Sequence, residues 1–358
     1  PIITGSRLPA ANANGWNNTD VVVSFTCSDG GSGIASCPSP TTLSGEGANQ
    51  SVTGTATDNA GNTASATVNS INIDKTAPTI TGSRLPAANA NGWNNTDVTV
   101  TFTSSDGLSG LATIPIEIVS LSLEGANQSV TRTATDKAGN SASATVNSIN
   151  IDKTKPTISA TATKADATPY TSGTWTNQDV TVHYTCADTG GSGLASCTAD
   201  QTFSATTATT GGTATDNAGN SAGATFGPIN IDKTAPTISA SAKNADNTTY
   251  TGGSWTKQDV TVHYTCADTG GSGLASCTPD QTFSATTAST SGTATDNAGN
   301  SASASFGPIN IDKTKPTISA SATVNGAPYT SGAWTNQVVT VKFTCNDTGD
   351  SGLSGSCP

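Results

Sequence analysis

Aspartate and cysteine are the residues of this chain whose types and spacing could do chemistry. Aspartates recur in three settings: the string IDKT, the turn TATDNAGN or TATDKAGN, and a glycine-rich segment between the two. Carboxylate oxygens are the ligands that Ca²⁺ prefers, and the ion takes about six to eight oxygens. Whether the carboxylates can meet depends on the elements that carry them.

The eight cysteines fall into four closely spaced pairs. The second copy of the surrounding sequence lacks both members of a pair and has Ser104 and Ile114 instead. A disulfide requires such a coupled loss, whereas independent free thiols do not, so the spacing predicts local disulfides and an oxidising compartment. We expect extra apolar residues to compensate in the second copy, namely Ile114, Ile116, Ile118 and Leu121. The predicted pairs are Cys27–Cys37, Cys186–Cys197, Cys266–Cys277 and Cys345–Cys357.

Composition excludes several classes of function. The net charge of −11 argues against a nucleic-acid partner, which would need clustered Lys and Arg. No stretch approaches the length of apolar sequence that crosses a bilayer, so no membrane insertion is expected in this segment. The two histidines, His183 and His263, fall at outward strand positions, and no catalytic motif appears, so we expect no enzyme. Lacking an initiator methionine and a signal peptide, the chain is expected to be an excised or mature segment.

An internal repeat organises the chain. The strings IDKTAPTI and IDKTKPTI end four successive segments, and the prolines in them recur at intervals of 77, 78, 80 and 80 residues, counted from Pro1. Four complete copies and a partial fifth are therefore predicted. They are repeat 1 (1–77), repeat 2 (78–155), repeat 3 (156–235), repeat 4 (236–315) and repeat 5 (316–358).

Each repeat has the two-residue period of β-strands. Val21, Val23 and Phe25 alternate with polar residues, and the turn at 58–62 separates two further alternating runs. The apolar parity slips between Val68 and Ile71, which predicts a bulge there. About seven short strands in roughly 80 residues are typical of a small two-sheet sandwich. We predict an all-β fold in which tandem immunoglobulin-like β-sandwiches form a rod.

The boundary string IDKTAPTI, the hairpin string TATDNAGN and a tryptophan before the second strand together resemble the bacterial immunoglobulin-like repeats of large secreted and surface proteins, including giant repetitive adhesins. The resemblance covers the whole chain and implies a bacterial extracellular or cell-surface location. It also implies Ca²⁺ at the junctions between domains. One tryptophan falls in each repeat, and we expect it to pack on its own repeat rather than bind sugar: Trp16, Trp93, Trp175, Trp255 and Trp334.

Strand direction brings the aspartates together. In such a sandwich, the loop after the second strand and the turn before the last strand both lie at the pole where the preceding linker arrives. Linker, loop and turn each carry one aspartate, so we predict a Ca²⁺ site at each junction. The predicted sets are Asp74, Asp106 and Asp136; Asp152, Asp188 and Asp216; and Asp232, Asp268 and Asp296, while Asp312 and Asp347 begin a fourth.

The leading hypothesis for function is a non-enzymatic extracellular spacer or stalk in a bacterial surface adhesin or fibre. The expected partners are flanking domains of the same longer chain. Two alternatives stay open: a subunit of a self-assembling extracellular filament or sheath, whose partners would be copies of itself, and a polysaccharide-binding array on a secreted hydrolase.

Overall fold

A computed structural model describes residues 1–113 and 117–358, and within these ranges the regular elements are β-strands without any α-helix. The described residues therefore include no helix long and apolar enough to cross a membrane. The chain divides into two compact units, and each unit contains part of repeat 3. The boundaries of the five repeats stay a prediction. One unit is Pro1–Ser159, Thr185–Thr198 and Thr213–Gly223, and the other is Ala160–Tyr184, Ala199–Gly212 and Ala224–Pro358.

Repeats 1 and 2 lie in the first unit, and each folds into two three-stranded antiparallel sheets. In repeat 1 the sheet orders are β1-β2-β4 and β3-β5-β6. Its strands are β1 (Ile2–Leu8), β2 (Val21–Ser28), β3 (Ile34–Ser36), β4 (Thr41–Leu43), β5 (Gly47–Asp58) and β6 (Thr63–Ile73). Repeat 2 has β7 (Thr79–Leu85), β8 (Val98–Ser105), β9 (Leu111–Thr113), β10 (Ile118–Leu121), β11 (Gly125–Asp136) and β12 (Ser141–Ile151). Its sheets are β10-β8-β7 and β12-β11-β9.

The strands of repeat 3 are shared between the two units. They are β13 (Thr157–Lys164), β14 (Trp175–Thr176), β15 (Val180–Ala187), β16 (Leu194–Cys197), β17 (Gln201–Phe203), β18 (Thr210–Asp216), β19 (Ser221–Phe226) and β20 (Asn230–Ile231). Strand β16 pairs with β18 in the first unit, and β15 pairs with β17 in the second.

Repeats 4 and 5 lie in the second unit. Repeat 4 has sheets β22-β21-β24-β26 and β25-β27-β28 and the short parallel pair β23-β29. Its strands are β21 (Thr237–Asn244), β22 (Thr249–Tyr250), β23 (Trp255–Thr256), β24 (Val260–Ala267), β25 (Leu274–Cys277), β26 (Gln281–Phe283), β27 (Thr290–Asp296), β28 (Ser301–Phe306) and β29 (Asn310–Ile311). Repeat 5 has β30 (Thr317–Val324), β31 (Ala327–Pro328) and β32 (Val339–Asn346).

The cores of repeats 1, 2 and 4 are built from the inward residues of their two sheets. In repeat 1 the alternating residues Val21, Val23 and Phe25 of β2 pack in one buried cluster with Ile71 and Ile73 of β6. The same arrangement recurs in repeats 2 and 4. The two-residue alternation of the sequence thus predicts the inward face of these strands.

A bulge interrupts β6 where the sequence predicts one. Val52 pairs with Val68, but Gln50 pairs with Ile71, so β6 has one extra residue. Repeat 4 differs, because β28 ends at Phe306 before Gly307 and Pro308, and Asn310–Ile311 then pairs in parallel with β23. Proline has no N–H to offer the ladder, so the pairing breaks at Gly307 and Pro308 and resumes as an antiparallel bridge between Ile309 and Thr287.

Four disulfides are present: Cys27–Cys37, Cys186–Cys197, Cys266–Cys277 and Cys345–Cys357. They are the four pairs that the spacing predicts. In repeat 1 the bridge joins β2 of one sheet to the residue that follows β3 of the other. The Cys186–Cys197 and Cys266–Cys277 bridges therefore close the loops that carry Asp188 and Asp268 of the predicted Ca²⁺ sites.

The expected apolar compensation in repeat 2 is only partly right. Val119 and Leu121 pair with buried Val100 and Val98 and pack against the core, whereas Ile118 pairs with Thr101 on the outer face and is 62% exposed. Strand parity explains the difference, because adjacent residues point to opposite faces. The other two residues of that expectation, 114 and 116, lie outside the described residues.

Reducing the disulfides should loosen repeats 1, 3 and 4 while leaving repeat 2 unchanged. A loop this short contributes roughly 2–3 kcal/mol of stability when closed. Hydrogen exchange measured by mass spectrometry with and without reductant should show faster exchange in strands such as β5 and β27. Repeat 2 is the internal control, and equal acceleration of β11 would contradict this account.

Candidate metal centre at the repeat junctions

The linker after each repeat is fixed to that repeat before it reaches the next one. At the end of β6, the N–H of Asp74 donates to the carbonyl of Asn17 at 2.9 Å. The ammonium of Lys75 then pairs with Asp20. These two contacts orient the linker, and the side chain of Asp74 is completely buried.

The turn between the last two strands of the next repeat meets this linker. Asp136 Oδ1 accepts the N–H groups of Gly139 and Asn140 at 2.7 and 2.8 Å. The Asn140 amide donates to the Asp74 carbonyl at 2.9 Å, and Asn220 and Asn300 repeat this bond at the following junctions. The last asparagine of the hairpin motif therefore holds the preceding linker.

The loop after the second strand also binds the linker aspartate. The N–H of Ser109 donates to Asp74 Oδ2 at 2.9 Å, and Ser192 and Ser272 do the same to Asp152 and Asp232 at 2.8 and 2.9 Å. Linker, loop and turn thus converge in space, as the strand directions predict.

Three clusters of aspartate result, and all nine predicted residues belong to them. Each residue of a cluster offers a carboxylate oxygen, and these oxygens lie within 4.8 Å of one another. The linker and turn aspartates are at most 5% exposed, and the loop aspartates are partly buried. We name the clusters junction site 1 (Asp74, Asp106, Asp136), junction site 2 (Asp152, Asp188, Asp216) and junction site 3 (Asp232, Asp268, Asp296).

Two carboxylate oxygens without hydrogen-bond partners indicate that these residues suit a cation. Asp188 Oδ2 and Asp268 Oδ2 are buried and accept no hydrogen bond. A buried polar atom without a partner costs free energy, and a buried charge costs more. Placed among two other carboxylates, each oxygen has the environment of a cation ligand. The residues of junction sites 2 and 3 therefore fit a hard divalent ion such as Ca²⁺, and its binding stays a prediction.

Glycine makes room for the linker carboxylate at junction sites 2 and 3. A Cβ on Gly190 would stand 2.7 Å from Cγ of Asp152, and a Cβ on Gly270 would stand 2.6 Å from Cγ of Asp232. Any larger residue would displace the carboxylate from the cluster. These glycines are needed for the close approach of backbone to ligand rather than for an unusual φ.

The linker carboxylate of junction site 3, Asp232, has a lowered pKa. The hydroxyl of Ser272 donates to Asp232 Oδ2 at 2.7 Å, and this bond is the main cause that lowers the pKa of Asp232. Burial opposes the shift, and N–H bonds from Ser272 and Thr234 assist it. Asp232 is thus held in the charged form that a cation needs.

The tryptophans are placed differently from the expectation. The indole edge of Trp93 lies 3.4 Å from the position of a Cβ on Gly191 in the next repeat, and Trp175 lies 3.0 Å from that position on Gly271. Trp93 and Trp175 thus reach the following repeat, which the expectation did not include. Trp334 is fully exposed, so the expectation that it packs on its own repeat is wrong.

The histidines lie on the outer face of a sheet. His183 Nδ1 is 2.7 Å from Asp200, His183 Nε2 is 2.9 Å from Thr163, and both members of the His–Asp pair are more than one-third exposed. His263 pairs with Asp280 in the same way, but Lys243 stands where repeat 3 has Thr163. The geometry is that of surface ion pairs.

No protein-family model matches the chain, and no curated protein matches it. A solved structure of a Ca²⁺-stabilised adhesin, with which an Antarctic bacterium reaches out and binds ice, is similar at 15% identity and a TM-score of 0.27. The match covers 87% of this chain and 99% of the adhesin chain. A TM-score this low does not establish a shared fold or function.

Replacing Ser272 with alanine should raise the pKa of Asp232 and destabilise the protein at pH 7. A hydrogen bond to a charged group contributes about 1.5–3 kcal/mol. Because the folded-state pKa is lowered from 3.8, the stability from Asp232 is present above that value and is lost as the pH falls through the folded pKa. Urea unfolding should therefore show a smaller cost of Ser272→Ala at pH 3 than at pH 7.

The matched control is Ser192→Ala, because the hydroxyl of Ser192 is buried without a partner at the equivalent position. Its loss should cost less at pH 7. Equal costs for the two variants would show that the Ser272 hydroxyl does not stabilise the charged carboxylate.

Proposed function

We propose that this chain is a non-enzymatic extracellular spacer, in which tandem immunoglobulin-like sandwiches form a rod whose junctions are stiffened by Ca²⁺. The observation that carries the proposal is the convergence of three carboxylates from linker, loop and turn at each of three junctions. The linker residue belongs to one repeat, and the loop and turn residues belong to the next. A cation held by all three would tie two repeats together.

Two sheets on one core in repeats 1, 2 and 4 support the sandwich interpretation. The strand order β1-β2-β4 against β3-β5-β6 fits an immunoglobulin-like arrangement of seven or fewer strands. The disulfides support an oxidising, extracytoplasmic setting. The histidines, as exposed ion pairs on a sheet face, offer no shaped site for catalysis.

The bound ion would supply positive charge that offsets the repulsion among the three carboxylates. The chain itself does the positioning. At junction site 1, Asn140 and Ser109 hold the linker from the turn and the loop. Asn12 and Asn14 of repeat 1 add bonds to the Lys137 carbonyl at 2.8 and 3.2 Å. Several weak bonds thus fix the approach of the linker before any ion binds.

We predict that Ca²⁺ lengthens and stiffens the protein in solution. Strands of up to about ten residues make each repeat roughly 35–40 Å long, so the extended chain should span on the order of 160–180 Å. Small-angle X-ray scattering should give this maximum dimension in Ca²⁺. A chelator should lower the melting temperature and broaden the distance distribution, because the carboxylates then repel one another.

Asp216→Asn provides the test at one junction, since it removes a charge from junction site 2. It should reduce the gain in melting temperature that Ca²⁺ produces. Asp200→Asn is the matched control, because Asp200 is an exposed partner of His183 outside the sites. A compact particle in Ca²⁺, or a melting curve unaffected by the chelator, would contradict the proposal.

A further inference from the structure

We infer that the three junction sites form two classes, in which junction sites 2 and 3 bind Ca²⁺ more tightly than junction site 1. The inference rests on the proposed function, because it assigns an order of filling to the same sites. Three independent differences between the junctions support it: the length of the loop, the charge beside it and its covalent closure.

The length of the loop changes how many hydrogen bonds its aspartate accepts. The loops of repeats 3 and 4 read DTGGSG, one residue longer than DGLSG in repeat 2. In the shorter loop Asp106 Oδ2 accepts the N–H groups of Leu108 and Gly110 at 3.1 and 2.7 Å. In the longer loops Asp188 and Asp268 each accept one bond from a glycine N–H through Oδ1, and their Oδ2 atoms accept none.

The hydrogen bonds of Asp106 compete with a cation for the same oxygen. A buried carboxylate oxygen without hydrogen-bond donors has lost its water and gained no partner, so binding an ion lowers its free energy most. A carboxylate that accepts hydrogen bonds gains less. The loops with the extra Thr189 and Thr269 thus contain a buried carboxylate oxygen without a donor, whereas Asp106 Oδ2 accepts two N–H groups. This makes junction sites 2 and 3 the stronger binders.

A protein cation lies at the edge of junction site 1. Lys137 occupies the turn position that Asn217 and Asn297 hold in repeats 3 and 4. Its Nζ lies 3.6 Å from the position of a Cβ on Gly110, and Gly110 itself donates to Asp106. Even at the dielectric constant of water, a unit charge about 8 Å from a divalent ion weakens binding about sixfold, and the lower effective dielectric of a protein surface increases the effect.

Covalent closure also separates the sites. The loop of junction site 2 lies inside the Cys186–Cys197 bridge, and that of junction site 3 lies inside the Cys266–Cys277 bridge. Repeat 2 has no cysteine, so the loop of Asp106 has no such closure. A loop already held in its binding geometry loses less conformational entropy when the ion binds.

Calorimetric titration of the whole chain with Ca²⁺ tests the two classes. We expect two tight sites, and a third site whose dissociation constant is on the order of tenfold higher or more. Asp188→Asn and Asp268→Asn should each remove one tight site. Asp106→Asn should leave both tight sites intact and reduce only the weaker binding. Reductant should weaken the tight class alone.

Lys137→Asn should strengthen the weaker binding by about tenfold or more without changing the tight sites. The control Lys243→Thr also removes one positive charge and installs the residue of repeat 3 at an exposed strand position, so it should change neither class. A second readout is Tb³⁺ luminescence excited through tryptophan. Trp93→Phe and Trp175→Phe should each reduce the emission that comes from the tight sites.

The outcomes separate this inference from the proposed function. Absence of Ca²⁺ binding to the wild-type chain would overturn both. Binding at equal affinity, with Asp106→Asn removing a tight site just as Asp188→Asn does, would overturn only the two classes. An unchanged weak affinity in Lys137→Asn would show that the lysine charge does not contribute.

Discussion

Three carboxylates held with oxygens within 4.8 Å of one another repel strongly unless a positive charge lies between them. The linker and turn members are almost fully buried, so water screens this repulsion poorly. The hydrogen bonds of Ser109 and Asn140 hold the linker in place but leave the combined negative charge uncompensated. On the function proposed above, a cation at each junction would compensate this charge and tie the linker to the next repeat.

The two strings that mark the repeats in the sequence are the two sides of this junction. IDKT supplies the buried Asp, and its Lys pairs with an Asp of the same repeat, as Lys153 does with Asp97. The hairpin string supplies a second Asp and the Asn that binds the linker carbonyl. Selection on junction geometry alone would preserve both strings, while the outer faces of the strands are free to vary.

The sequence was sufficient to predict the parts that depend on period and direction. Alternation predicts the buried face of β2, the slip from Val68 to Ile71 predicts the bulge, and antiparallel order predicts the meeting of linker, loop and turn. Contacts that depend on loop conformation could not be predicted. Three such contacts are the approach of Gly190 to Asp152, the hydrogen bond from the Ser272 hydroxyl to Asp232 and the contact of Trp93 with Gly191. Each depends on the backbone conformation of a loop, which a single inserted residue changes. Apolar composition alone does not predict that Ile118 points outward, because Ile118 and Leu121 lie an odd number of positions apart and so are on opposite faces of β10.

Anomalous scattering from crystals of the whole chain grown in Ca²⁺ would test the role of the carboxylate clusters most directly. A peak should appear at each junction within about 2.3–2.6 Å of carboxylate oxygens from linker, loop and turn. At junction sites 2 and 3 the ligands should include Asp188 Oδ2 and Asp268 Oδ2, the oxygens that lack hydrogen-bond donors. Clusters that keep their geometry with water or a lysine ammonium at the centre, and no anomalous peak, would contradict the account.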